Sequence, residues 1–184
     1  RRLRGCLVRW RRIWGSFLRD PAALDADLED RSVSPAMATA VYGAVLDEHG
    51  RVDPDATIRR REHIRAGRVA ASEGSRPPSV VLNGPKVLEA SPSVHVHREA
   101  EGTFWGCSHC AASLGPTRDN FKDYALRIDT RVQDASTQNK DPARYIDTEV
   151  ALRQYACPGC GTLLDLEVAI ATDPPLRDIR IDIN

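Results

Sequence analysis

Hydrophobic and polar positions follow one period in the first third of this chain and another in the rest. Over residues 20–68 the spacing is helical, and three helix starts are written in the same way. Asp20-Pro21 opens AALDADLEDR, Ser34-Pro35 opens AMATAVYG and Asp53-Pro54 opens DATIRRREHIRAG, which Gly67 is expected to close. In each case a short polar N-cap precedes a proline at the first helical position. The apolar seams are thin. In the second helix Met37, Ala40 and Val41 form one stripe, and in the third Ile58 lies on a different face from Arg61 and Arg65. Apolar burial is worth about 25 cal/mol per Å² and backbone ordering costs about 1–2 kcal/mol per residue, so three such helices are marginal alone. They are predicted to dock on the second half of the chain or on another chain.

Residues 70–79, AASEGSRPPS, are small, polar and proline-rich without a period, and read as a linker. Beyond them the period shortens to two. SVHVHREA, GTFWGC, YALRIDTRV, TEVALRQYAC and TLLDLEVAIA are predicted strands, and QDASTQNKDPA (133–143) an exposed loop between two of them. The predicted class is α+β: a short helical N-terminal arm (1–69), a linker (70–79) and a β-rich, zinc-ribbon-like domain (80–184).

The 184 residues carry 26 basic and 26 acidic groups, 41% apolar and 5% aromatic side chains. The balance is uneven, with a net +4 over residues 1–76 and −4 over 77–184. A zero total argues against a dedicated nucleic-acid binder, which needs surplus cations for phosphates. No apolar run approaches the roughly 18–20 residues of a membrane span, so no membrane partner is expected. Six arginines in the first twelve residues interrupt any signal-like core. With no initiator Met, the sequence is expected to begin inside a longer reading frame or at a processed end.

Four of the five cysteines form two Cys-x-x-Cys pairs, Cys107/Cys110 and Cys157/Cys160, and 46 residues separate the pairs. The odd fifth, Cys6, fits a free thiol. This is a poor disulfide framework and a good metal site, which favours a cytoplasmic protein. Each pair follows a predicted strand, and Gly161 permits the positive φ of a knuckle turn. Two knuckles supply four thiolates to one tetrahedral, structural Zn2+ per chain. The gap exceeds the usual roughly 15–20 residues, so residues 118–145 are an insertion between knuckles. Cys-Pro-Gly-Cys also suits a thioredoxin-like redox pair, but that site uses one pair opening a helix. A catalytic zinc needs an open position that four thiolates deny. His109 is expected on the knuckle surface.

From Tyr155-Ala-Cys-Pro-Gly-Cys-Gly-Thr-Leu-Leu-Asp-Leu-Glu-Val168, with the earlier Cys107/Cys110 pair, residues 90–170 resemble the small zinc-containing gamma-type subunit of ATP-dependent ketone carboxylases, the acetone and acetophenone carboxylases. Trp14-Gly-Ser-Phe-Leu-Arg-Asp-Pro21, Val33-Ser-Pro-Ala36, Val41-Tyr-Gly-Ala-Val-Leu-Asp47 and Gly50-Arg-Val-Asp53 are similar to the C-terminal tail of hydantoinase B and oxoprolinase subunits. Arg9, Trp10, Arg11 and Arg12 stand where that family has a glycine-rich run, and no catalytic residue is carried over. The resemblances imply a non-catalytic accessory subunit that assembles or positions large hydantoinase A/B-like subunits. Those subunits use ATP and bicarbonate, without biotin, to carboxylate a ketone. The chain has no Gly-x-x-x-x-Gly-Lys-Ser/Thr phosphate loop, and Gly84-Pro-Lys86 is too short to stand in for one.

The remaining polar groups read more simply as surface. His95 and His97 share a strand face and are close enough to share a metal or phosphate, but an outward polar face accounts for them. Asp165 and Glu167 are expected to be solvated, alternating with Leu164, Leu166 and Val168. Arg59, Arg60, Arg61 and Arg65 are expected on a solvated or docking face. They are also what an alternative function, a zinc-ribbon nucleic-acid binder, would use. Trp10, Trp14 and Trp105 are expected to be interface anchors or core plugs.

Overall fold

All three cap-plus-proline pairs open helices. The computed structural model describes residues 16–71, 80–134 and 140–181, and in it α1 spans Pro21–Glu29, α2 Pro35–Val41 and α3 Pro54–Ala71. The side chains of Asp20, Ser34 and Asp53 accept from the backbone N–H of Ala22 (2.9 Å), Met37 (3.2 Å) and Ala56 (2.9 Å). Those bonds satisfy donors that a helix start leaves unpaired. Gly67 does not close α3, which runs on to Ala71. A glycine inside a helix costs only about 1 kcal/mol, less than the bonds of a further turn return. Residues 72–79 of the expected linker, and Cys6, Trp10 and Trp14, lie outside the described residues.

The chain divides into two compact units, Arg1–Gly67 and Arg68–Asn184. In the first, Leu24, Val33, Ala38, Tyr42, Ala44 and Val52 form a small core. The expected stripe of α2 is not what the helix buries: Ala38 is fully buried, while Met37, Ala40 and Val41 face outward. A small side chain at 38 lets this seven-residue helix sit close against the core, which turns its larger residues away. Arg61 is a second correction, because it is buried rather than solvated. Its Nε donates to Tyr42 O (2.9 Å) and its Nη1 to Phe17 O (3.2 Å) and Arg19 O (2.7 Å). Few apolar residues are present, and a guanidinium fork ties together carbonyls that helix and turn ends leave over.

The second unit holds two antiparallel sheets. β1 (Lys86–Glu89), β2 (Val94–Glu99), β3 (Gly102–Cys107) and β4 (Ser113–Pro116) pair in sequence order; β5 (Leu126–Arg131), β6 (Val150–Ala156) and β7 (Leu163–Ile170) form the other sheet. All five predicted strands are present. β1 and β4 were too short to show a period. β5 starts at Leu126 because Phe121–Tyr124 is a 3-10 turn, capped by Asn120 accepting from the Lys122 N–H (3.3 Å). The expected loop between β5 and β6 has exposed ends, and its residues 135–139 lie outside the described ones. Val94, Val96, Trp105, Leu114, Phe121 and Leu164 pack in one cluster with Cys107 and Cys157. Trp105 is a core plug, with its ring edge-to-face on Phe121 (centroids 6.0 Å) and its Nε1–H donating to Asp119 O (3.1 Å). No helix among the described residues is long and apolar enough to cross a membrane.

Candidate metal centre

Each Cys-x-x-Cys pair sits at the tip of a hairpin, the first between β3 and β4 and the second between β6 and β7. The two tips are built alike. Cys107 N–H donates to Ala112 O (2.9 Å) and Ala111 N–H to Cys107 O (2.9 Å); Cys157 N–H donates to Thr162 O (2.8 Å) and Gly161 N–H to Cys157 O (2.8 Å). The fourth residue after each leading cysteine is left-handed, Gly161 at φ 71° as expected and Ala111 at φ 55°. An L-residue pays about 1–2 kcal/mol for that conformation and glycine does not. Ala111→Gly is therefore expected to raise stability by up to about 1 kcal/mol, and Gly161→Ala to lower it by about 1 kcal/mol. Thermal melts of the two variants beside the parent check this, and a loss in both would contradict it.

The hairpins bring all four sulfurs within 4.8 Å of one another. Cys107 Sγ lies 3.8 Å from Cys160 Sγ, and Cys110 Sγ lies 3.6 Å from Cys157 Sγ. Thiolates bound at about 2.3 Å to one tetrahedral ion stand about 3.8 Å apart, so the spacing fits a shared metal. It is far too long for a disulfide, and all four are free thiols. Donors converge on the sulfurs: Gly159 N–H reaches Cys157 Sγ (3.3 Å), and the Thr162 hydroxyl lies 3.2 Å from Cys160 Sγ. Four thiols this close cannot all ionise without a cation. Hydrogen bonding among them holds Cys107 and Cys157 up, pulls Cys160 down and brings Cys110 to about 7. A bound divalent ion removes that conflict, because it stabilises all four thiolates together. Cys107 and Cys157 are buried and the other two are half-buried, so the group can hold a metal ion with little access for solvent.

A model of the acetone carboxylase gamma subunit family matches residues 80–184, the stretch that contains both knuckles and both sheets. The chain belongs to that family. A gamma subunit is by its name one part of a larger carboxylase. No curated protein matches the chain.

Elsewhere in this gamma subunit some polar residues fall as expected and others do not. His109 is exposed on its knuckle, as expected. His95 and His97 are half-buried and do not join the cysteine group; His97 Nδ1–H donates to Gly84 O (3.0 Å), which ties it to a loop. The basic run on α3 is broken, since Arg61 points into the first unit's core.

Asp165 and Glu167 are a correction of more consequence. Both are buried, in a cluster with Lys122, Arg153 and Tyr155 that sequence reasoning missed. Lys122 Nζ lies 2.6 Å from Asp165, 3.0 Å from Glu167 and 3.1 Å from Asp178. Glu167 also accepts from Arg153 Nη1 (3.0 Å) and from the Tyr155 hydroxyl (2.7 Å). Burial works to raise the Glu167 carboxyl, but donation from Tyr155, Arg153 and Lys122 outweighs it and brings the group down to about 2. At Asp165 burial prevails over Lys122 and the carboxyl is raised. Lys122 itself is held up by these carboxylates against the effect of burial. The Lys122, Asp165 and Glu167 side chains are only 1%, 2% and 7% exposed, so these charges face one another rather than solvent.

The cluster instead fastens a strap. Arg153 Nη2 donates to the carbonyls of Ile170 (2.8 Å), Ala171 (3.0 Å) and Asp173 (2.7 Å), and Glu167 accepts from Leu176 N–H (3.2 Å). Farther along the same segment Ile179 and Ile181 pack on the core cluster that contains the cysteines.

Proposed function

We propose that this chain is a non-catalytic, zinc-binding accessory subunit of a biotin-independent, ATP-dependent ketone carboxylase of the acetone or acetophenone type, working in the cytoplasm. One structural Zn2+ is held by Cys107, Cys110, Cys157 and Cys160. The observation that carries the reading is the tetrahedral spacing of four thiols in a member of the gamma subunit family. Thiolate ligands favour zinc over harder ions, and four of them close the coordination shell. The metal then fixes the relation between two hairpins from distant parts of the chain, and its role is folding rather than chemistry. Zinc has no assigned step in carboxylation here, and ATP and bicarbonate chemistry falls to large hydantoinase A/B-like subunits. The helical arm, tail-like in sequence and poor in core, serves as a docking element; its last helix runs through the first two residues of the expected linker to Ala71, and residues 72–79 join it to the zinc domain (80–184).

Reconstitution tests the reading. Mixed with the other subunits of an acetone carboxylase, the zinc-loaded chain is expected to enter a stoichiometric complex, and the complex is expected to lose assembly or activity when the chain is left out. A chain that stays apart while those subunits assemble and turn over without it would overturn the proposal. Binding to nucleic acid has no support in the geometry, because the arginine run that would serve it is interrupted by the inward-facing Arg61.

A further inference from the structure

Beyond β7 the chain reads Asp173-Pro-Pro-Leu-Arg-Asp-Ile-Arg-Ile181. Two consecutive prolines have no N–H to donate, so a strand cannot continue through them. The segment leaves the sheet at Asp173, whose N–H donates to Ile170 O (3.0 Å). From Pro174 to Ile181 no backbone-to-backbone hydrogen bond ties it to the rest of the described residues. Side chains hold it in place of a ladder. After Arg153, Asn120 takes over, its Nδ2 donating to Pro175 O (3.3 Å) and Leu176 O (3.4 Å). Glu167 then accepts from Leu176 N–H, Arg177 Nη2 donates to Arg118 O (2.5 Å), and Asp178 pairs with Lys122.

These fastenings lead to the metal centre. Asn120 and Lys122 flank Phe121, which belongs to the core cluster with Trp105, Cys107 and Cys157. Past Asp178 the strap lays Ile179 and Ile181 on that same cluster, both half-buried, with Arg180 exposed between them. Cys110 and Cys160 pack on the cluster from outside, as the two isoleucines do. The strap thus runs from the buried charges of β6 and β7 to the apolar group that contains two of the four thiols. Elements secured by a few side chains open at lower free energy than a hydrogen-bonded sheet, and they open separately from it. Opening here would lift Ile179 and Ile181 away, while the backbone bonds that close both knuckles involve no strap residue.

We propose that residues 173–181 are a latch that retains the metal: fastened, they keep water and competing ligands from the thiolates, and their local release is the route by which the ion leaves. The assignment rests on the reading of the four cysteines as a zinc site.

The test follows the transfer of zinc from the loaded full chain to an excess of a colour-forming chelator, with circular dichroism of the same samples to report the fold. Ile179→Ala/Ile181→Ala is expected to stay folded and to release zinc at least about tenfold faster than the parent. Asp178→Asn, which removes one exposed fastening, should shift the rate the same way and decides the matter if the double variant does not fold. Leu126→Ala is the control, because it removes a buried β5 side chain outside the cluster and lowers stability without touching the two isoleucines. It is expected to release zinc like the parent. Parent-like release from the strap variants would overturn the proposal. So would equal acceleration by Leu126→Ala, since zinc would then be leaving from the unfolded chain. A parent chain that takes up no zinc would remove the zinc reading and this proposal with it.

Discussion

Replacing Cys157 by serine is expected to unfold the second unit. The thiol lies at the centre of the group, 3.6 Å from Cys110 Sγ, and its own backbone closes the second knuckle. Structural zinc contributes on the order of 10 kcal/mol of folding free energy, whereas a whole domain of this size is stable by about 5–15 kcal/mol. Losing the ion therefore consumes the margin. The core offers no reserve, because Cys107 and Cys157 are themselves members of the main apolar cluster beside Trp105 and Leu164. Cys157→Ser should show no bound zinc, lose the β signal in circular dichroism, and fail to join carboxylase subunits. Cys157→Ser protein with full metal content and a cooperative melt would contradict this.

Lys122→Ala is the second large expected effect, at about 3–5 kcal/mol of lost stability, the usual cost of removing one partner from a buried ion cluster. Lys122 is the cation common to Asp165, Glu167 and Asp178. Without it Asp165, already raised by burial, keeps no ion-pair partner among the described residues, while Glu167 retains Arg153 and Tyr155. The strap loses its bond at Asp178 as well, so limited proteolysis is expected to reach residues 172–181 sooner. Denaturant unfolding of the zinc-loaded chain measures the energy. The Arg127–Asp129 pair is the comparison, being more than a third exposed on both sides, and breaking it should cost under about 1 kcal/mol. Equal losses at the two sites would mean that the cluster at Lys122 is solvated.

Both predictions depend on features that the sequence displayed unequally. The cysteine group was legible because its ligands come as two close pairs, each behind an alternating strand, and thiolate chemistry leaves few uses for that pattern. Helix starts were legible for a similar reason: a cap and a proline act locally, whatever surrounds them. What a helix buries is decided by its neighbours, and there the pattern misled. Met37 and Val41 outweigh Ala38 in hydrophobicity, yet Ala38 is the residue inside.

The same failure recurs on a larger scale in β6 and β7. Alternation separates Leu166 and Val168 correctly from Asp165 and Glu167, but the rule that apolar residues go in puts the acidic pair on the wrong side. The charges compensate one another across strands and with Lys122, 31 residues before Arg153. That pairing is non-local and has no spacing signature. One hint was available: two acidic residues on one strand face opposite an arginine on its hairpin partner. A strap of irregular backbone, held by carbonyls accepting from Arg153, has no periodicity to read at all.

The central claim is that one zinc ion holds the two hairpins together, and metal content of the native protein tests it most directly. Elemental mass analysis of the chain as isolated, with thiol titration before and after chelation, should find about one zinc per chain. The four knuckle thiols should react only once the metal is removed. Protein that is folded, free of metal and fully reactive at Cys107, Cys110, Cys157 and Cys160 would contradict the claim.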